Sequence, residues 1–305
     1  MQPNTVEPTV TSRSLGANAA LLPNAIEHCR LVTAQHSATF YLGSLLFART
    51  QRPAVWAVYA ACREGDDTVD EHDSLTASRM LALWRHSTLS ALAGQPDASP
   101  TSVALAWAAE RHLIPAEPFE ELHAGLEMDL RRARYETLDD LLLYCRRVAG
   151  TVGWMILPIT GASGDNAEAR DRALKLGQAM QLTNILRDVA EDRKRGRVYL
   201  PVEVLKRHGV TRASVAGGED SLGYRAVISE LAGVARELYR EGRAGLHHVP
   251  GRGRVAVAVA AACYEGILDV LEQRNWDNLS SRASLSPAGR FARIPGAVLG
   301  MGAAR

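Results

Sequence analysis

The sequence predicts an all-α fold. Apolar residues recur with a helical period along most of the chain, and Ala, Leu, Arg and Glu dominate those stretches. Alternating Val/Ile/Thr segments that would mark strands are almost absent. Clusters of glycine and proline separate the periodic stretches.

The first helices span 24–36 and 37–48. Pro53 marks the boundary of the next, over 52–73. A helix over 75–93 ends at Gly94-Gln95-Pro96, and one over 99–112 stops before Pro115. Helices over 116–134, 137–150 and 151–161 follow, the last stopped by the segment from Gly161 to Gly164. A long helix over 166–192 gives way at Gly196 and Pro201 to a short one over 202–208. Gly217-Gly218 precedes a helix over 223–247, and Pro250-Gly251 precedes one over 252–275. No repeat or low-complexity linker interrupts this order, so the helices are assigned to one domain, residues 21–284. Residues 1–20 are expected to be a flexible arm, and the Gly/Ala/Arg-rich residues 285–305 a loosely held tail.

Composition narrows the function classes. With 305 residues, 47% of them hydrophobic, the chain can build a large core. Its net charge is +1 and its basic residues are interspersed with acidic ones, which argues against a nucleic-acid binder. Cys29, Cys62, Cys145 and Cys263 form no CxxC pair and no zinc spacing, so they read as buried thiols in a reducing compartment. The longest apolar run, Val255 to Tyr264, has 10 residues. A membrane span needs about 20. The N-terminus lacks a basic start followed by an apolar core, so a secretory signal is not expected and a cytoplasmic location is.

Two acidic clusters carry the chemistry. In RPAVWAVYAACREGDDTVDE, Arg52 to Glu71, helical geometry places Arg63, Asp66, Asp67 and Asp70 within an arc of about 100°. Like charges at this spacing repel, and a divalent cation would relieve the repulsion. Alone, the stripe reads equally as an exposed helix end. Trp56 and Tyr59 on the same stripe count against that, because a solvated face seldom carries two large aromatics. In QLTNILRDVAEDRKRGRVYLP, Gln181 to Pro201, the residues Gln181, Asn184, Asp188 and Asp192 fall within about 80°. Leu182, Ile185, Leu186 and Val189 occupy the adjoining arc. By itself this stripe reads as an ordinary surface helix.

Together the stripes suggest more. Each offers carboxylates at i and i+4. Mg²⁺ prefers oxygen ligands and usually binds through one or two carboxylates plus substrate phosphates. Two such helices facing each other would form a Mg²⁺–diphosphate cage, and Arg193, Lys194, Arg195 and Arg197 would neutralise the remaining phosphate oxygens. Gly196 would let that basic run fold over the site. His36 and His112 show no metal spacing.

Four stretches resemble the squalene/phytoene synthase family, most closely its bacterial phytoene-forming branch. They are HSATFYLGSLL (36–46), YAACREGDDTVDE (59–71), YCRRVAGTVGWM (144–155) and QLTNILRDVAEDRKRGRVYLP (181–201). The resemblance runs from His36 to about Arg274. It implies the isoprenoid synthase fold, helices around a deep central cavity. Two allylic diphosphates would be joined head to head, with Mg²⁺ as cofactor and Mn²⁺ able to substitute. One diphosphate ionises, the second substrate's double bond attacks to give a cyclopropylcarbinyl diphosphate, and loss of the second diphosphate leads to the product. With geranylgeranyl diphosphate that product is phytoene. With farnesyl diphosphate it is a C30 hydrocarbon or alcohol, and the motifs do not separate the two.

Carried over by position, Asp66, Asp67, Asp70, Asp188 and Asp192 resemble the catalytic and metal-binding acids, joined by Asn184. Gln181, Asn184, Arg187, Arg63 and Arg197 resemble residues around the diphosphates. Ser37, Thr39 and Phe40 match the family's start motif, and Tyr144 and Tyr264 its cavity tyrosines. Ala149, Gly150, Val152, Gly153, Met155 and Ile156 offer the small and apolar walls that a carbocation requires, though each also suits ordinary helix packing. A helical scaffold without activity would not be expected to keep all the motif aspartates. Substrate and product are membrane-soluble, so peripheral membrane contact is expected, with RFARIPGAVLGMGAAR as a candidate segment.

Overall fold

The computed structural model describes residues 20–70, 73–131, 134–163 and 166–300. The expected arm up to residue 19, Glu71 of the first acidic stretch, Gly164 and residues 301–305 lie outside the described residues.

Among the described residues all regular structure is helical. Ser37 leaves helical geometry between α1 (Leu22–His36) and α2 (Ala38–Ser44), and its hydroxyl accepts the Phe40 amide at 3.2 Å. α3 (Arg52–Asp70) is followed by α4 (Ser74–Leu92), which Asp73 caps by accepting the Leu75 and Thr76 amides. Ser99 caps α5 (Pro100–His112), and α6 (Glu117–Leu130) carries Glu117 and Glu120 in its first turn, where the helix dipole favours them. Thr137 and Asp140 cap α7 (Leu138–Cys145) reciprocally.

The expected break at residue 150 does not occur. A single π-helical turn, Arg146–Gly150, carries α7 straight into α8 (Thr151–Ile159). Gly150 serves close packing there, since a side chain would meet the Leu174 carbonyl oxygen at 2.9 Å. α9 (Ala167–Lys194) is the long central helix. α10 (Val202–Arg207), α11 (Arg212–Gly217), α12 (Leu222–Arg243), a 3₁₀ turn (Ala244–His248) and α13 (Gly251–Gln273) follow.

Two helices were absent from the sequence reading. α11 had a legible signal in Thr211-x-x-Ser214, a reciprocal cap, with Gly218 at φ +76° closing it. α14 (Pro287–Gly300) occupies most of the stretch expected to be a loose tail. Ser286 accepts the Gly289 amide at 3.1 Å, and Pro287 suits a first turn. Arg293 of α14 pairs with Asp269 of α13 at 2.5 Å, which fixes the helix on the body of the protein.

Two apolar cores result. One joins α1, α3, α4, α5 and α6 with Met155, Ile156 and Ile159 of α8. The other joins α7 and α9 through α13. The central cavity lies along the seam between them, lined from both sides.

Candidate active site

Arg197, in the loop after α9, pairs with Asp70 at the end of α3, and of the two acidic stripes Arg63, Asp66 and Asn184 line the central cavity, whereas Asp67, Asp70, Asp188 and Asp192 lie outside its lining. The cavity has a volume of ≈310 Å³. Arg63, Asp66 and Asn184 form its polar end. Thr39, Phe40, Tyr59 and Tyr264 line it, with Phe40 stacked on Tyr59 at 4.7 Å between ring centroids. Of the small wall residues expected from sequence, Ala149, Val152, Gly153 and Ile156 line the cavity. Gly150 packs on α9 instead, and Met155 is buried with its sulfur 3.7 Å from that of Cys62.

The acids are held by arginines. Arg63 pairs with Asp67 one turn on. Asp188 is gripped twice, by Arg187 at 2.7 and 2.6 Å and by Arg282 at 2.8 and 3.2 Å. Arg197 crosses from the loop after α9 to Asp70 at 2.8 Å, and Arg195 stands 3.7 Å from the same carboxylate. Gly196, at φ +73°, turns the chain so that the Arg197 amide donates back to the Asp192 carbonyl at 2.9 Å. Arg193 packs instead under Gly218, where a side chain would meet its guanidinium at 2.6 Å.

Burial is the main influence on these groups, and their charges decide the rest. Burial pushes the Asp66 carboxyl up to about 7; Arg63 opposes this, and Asp70, Asp129 and Asp67 add to it. Burial likewise pushes Asp192 up to about 7, with the Asp188 charge contributing. Asp188 is buried too, but its two arginines outweigh burial and hold it below the usual carboxylate range. Asp66 and Asp192 are thus each raised by burial and by acidic neighbours, and both feel Asp129. The buried Asn184 Oδ1 has no hydrogen-bond partner. Unpaired hard oxygen donors beside repelling carboxylates suit a divalent cation. Among the described residues, no three His, Cys, Asp or Glu side chains converge as a ready-made cage.

The remaining expected residues are placed as follows. Gln181 Oε1 accepts from the Asn184 amide at 3.4 Å. Ser37 is the α2 cap and does not line the cavity. Tyr144 also stands outside the lining. It packs with Tyr135 and Tyr199, ring centroids 5.4 Å away in each case, and its hydroxyl donates to Asp129 at 2.7 Å.

Sequence reasoning missed Asp129 and Arg282. Asp129 sits near the end of α6, accepts from Tyr144 and from Tyr199 at 2.9 Å, and is raised by burial. It lies within the electrostatic reach of Asp66, Asp70 and Asp192. No spacing within α6 signals it. Arg282 follows the fully buried Asn278, whose amide donates to the Leu186 carbonyl at 2.6 Å and so ties this segment to α9. Removing the half-exposed guanidinium, Arg282→Ala, is expected to change stability by less than about 1 kcal/mol. The same change should lower kcat/KM by roughly tenfold through the lost charge-assisted contacts. Urea melts and steady-state kinetics check the two together.

Comparison with known proteins agrees with this geometry. A family profile described as squalene/phytoene synthase matches residues 33–288. A phytoene synthase of Thermus thermophilus is 50% identical over 87% of this chain and 89% of its own. A 15-cis-phytoene synthase of Synechocystis is 37% identical over 90% of this chain and 85% of its own. A dehydrosqualene synthase crystallised with a ligand superposes with a TM-score of 0.86 at 28% identity, covering 93% of this chain and 99% of that one. With its paired acidic helices at one end of an apolar cavity, the chain belongs to the squalene/phytoene synthase family.

Proposed function

We propose that the protein is a phytoene synthase, condensing two geranylgeranyl diphosphates head to head into phytoene through a cyclopropylcarbinyl diphosphate. The observation that carries this reading is a largely apolar cavity into which Arg63 and Asp66 of α3 and Asn184 of α9 open. The similarity to proteins named phytoene synthase supports the C20 substrate.

Asp66, Asp67, Asp70, Asp188, Asp192 and Asn184 would hold Mg²⁺. When bound, the ion supplies Lewis-acid stabilisation of the departing diphosphate. Arg63, Arg187, Arg197 and Arg282 already pair with these acids. These guanidiniums match phosphate oxygens in shape and charge, and would be available to them were a cation to hold the carboxylates. The remaining walls exclude water, so the allylic cation meets the second substrate's double bond rather than a nucleophile. The faces of Phe40 and Tyr59 at the polar end favour a cation beside them.

The test is a product assay with purified protein and Mg²⁺. Geranylgeranyl diphosphate is expected to give a C40 hydrocarbon and metal-dependent diphosphate release. A C30 product from farnesyl diphosphate with no C40 product would overturn the reading in favour of a C30 synthase. Absence of metal-dependent release with either substrate would point to a scaffold.

Among the described residues, no helix is long and apolar enough to cross a membrane. We propose that substrate delivery uses peripheral membrane contact through α14. It exposes Phe291 (71%), next in the chain to the basic Arg290, and Leu299 (77%). Liposome flotation of the full chain and of Phe291→Ser is expected to show weaker binding by the variant.

A further inference from the structure

The loop after α9 brings Arg195 and Arg197 to the Asp70 carboxylate, although Lys194, Arg195 and Gly196 are themselves exposed. What steadies the loop lies just beyond. Val198 and Leu200 are 7% and 1% exposed and belong to the second core. Arg197 and Tyr199 alternate with them, the period of an extended chain, so they share one side about 7 Å apart. On that side Arg197 meets Asp70 at 2.8 Å, and the Tyr199 hydroxyl donates to Asp129 Oδ1 at 2.9 Å.

Asp129 uses both of its oxygens in this way. Its Oδ2 accepts from Tyr144 of α7 at 2.7 Å, so one carboxylate of α6 ties α7 to the loop. The Tyr144 and Tyr199 rings stack with centroids 5.4 Å apart, which brings both hydroxyls to the same acid. The Asp129 charge also acts on the Arg197 guanidinium, as that of Asp70 does. Backbone contacts hold the chain on either side of Tyr199 independently. Arg212 donates to the Val198 carbonyl at 2.7 Å, and the Val202 amide donates to the Tyr135 carbonyl at 3.0 Å. Losing the Tyr199 contact should therefore loosen the arginine end of the loop and leave the fold standing.

We propose that Asp129 is a positioning residue for Arg197. By anchoring the Tyr199 hydroxyl it holds the loop so that this guanidinium stands over the acids, where a diphosphate oxygen would meet it. A guanidinium already in place binds phosphate without first giving up loop freedom, and it is aimed before the leaving group departs. The inference rests on the proposed reaction and adds a residue that touches neither substrate nor metal.

The experiment compares wild type with Asp129→Asn, Tyr199→Phe and Arg197→Ala, and with each of the first two combined with Arg197→Ala. The first readout is limited tryptic cleavage of the metal-free protein, with the cut sites mapped by mass spectrometry. Asp129→Asn and Tyr199→Phe are each expected to speed cleavage after Arg195 at least about fivefold, the scale of one lost hydrogen bond to a charged group, with other sites unchanged. The second readout is kcat/KM for diphosphate release from geranylgeranyl diphosphate with Mg²⁺. Each of the two variants is expected to lose about tenfold. On the Arg197→Ala background neither should lose more than about twofold further, because the group they position is gone. Additive losses in the double variants would overturn the inference, since a merely structural role would act whether or not Arg197 is present. A loss in Asp129→Asn but not in Tyr199→Phe would overturn it in favour of a direct effect of the Asp129 charge. Unchanged cleavage in both variants would also overturn it. Should Asp129→Asn fail to fold, Tyr199→Phe decides alone. A wild type that releases no diphosphate would overturn the reaction instead, and the cleavage pattern would then decide whether Asp129 anchors the loop.

Discussion

Asp66→Asn is expected to lower turnover by at least about 10³-fold, since it removes an oxygen charge from the site that must stabilise the departing diphosphate. The same change should leave the metal-free protein at least as stable as wild type. Burial and neighbouring acids push the Asp66 carboxyl up to about 7 from its ordinary 3.8. The folded state thus binds this proton more tightly than the unfolded state does. Its contribution to stability is complete below pH 4 and is lost as pH rises through about 7. The loss amounts to at most about 4 kcal/mol. Asn carries no such charge, so the variant's stability should fall less between pH 5 and pH 8. Asp192, also pushed up to about 7, keeps part of the slope in both proteins. Denaturant unfolding in EDTA at the two pH values reads the difference. Equal slopes, or a variant with near wild-type turnover, would refute the role given to Asp66.

Gly177→Ala is expected to have the largest effect on stability. A side chain there would stand 2.3 Å from the Ala149 carbonyl oxygen and 2.7 Å from the Gly150 Cα. Both are backbone atoms in a helical rod, so no rotamer change relieves the contact. α9 and the π turn must part, loosening the seam between the two cores and the wall of the cavity. The cost should be about 3 kcal/mol, at the upper end for overpacking by one methyl group. The melting temperature should fall by roughly 5–10 °C. Gly233→Ala is the control. It lies on the exposed face of α12 with nothing within 4 Å of the added carbon. Alanine's helix preference should stabilise that variant by about 0.5–1 kcal/mol. Calorimetry of both variants checks the pair, and equal melting temperatures would remove the close-packing argument.

Most helices were legible because their signals are local. Periodicity, proline, glycine and capping residues act within a turn or two of the chain. The misses share one cause. Gly150 looked like a boundary, but its glycine serves the approach of α9 rather than the end of a helix. α14 looked like a tail, because its packing on α13, with Arg293 over Gly266 and paired with Asp269, lies outside its own composition.

The sequence by itself determined the fold class and the two acidic stripes. Repeated helical period and two carboxylate stripes are properties of residues three or four apart, and a helix converts that spacing directly into a shared face. Tertiary structure alone decided the rest. It paired Asp188 with Arg282 and Asp70 with Arg197, drew Asp129 toward the acids, and moved Tyr144 from the cavity wall into a tyrosine cluster. It also brought Leu157, Ala169 and Val249 together on the cavity wall from three separate elements. None of these follows from spacing, because each joins residues whose separation along the chain says nothing about their separation in space.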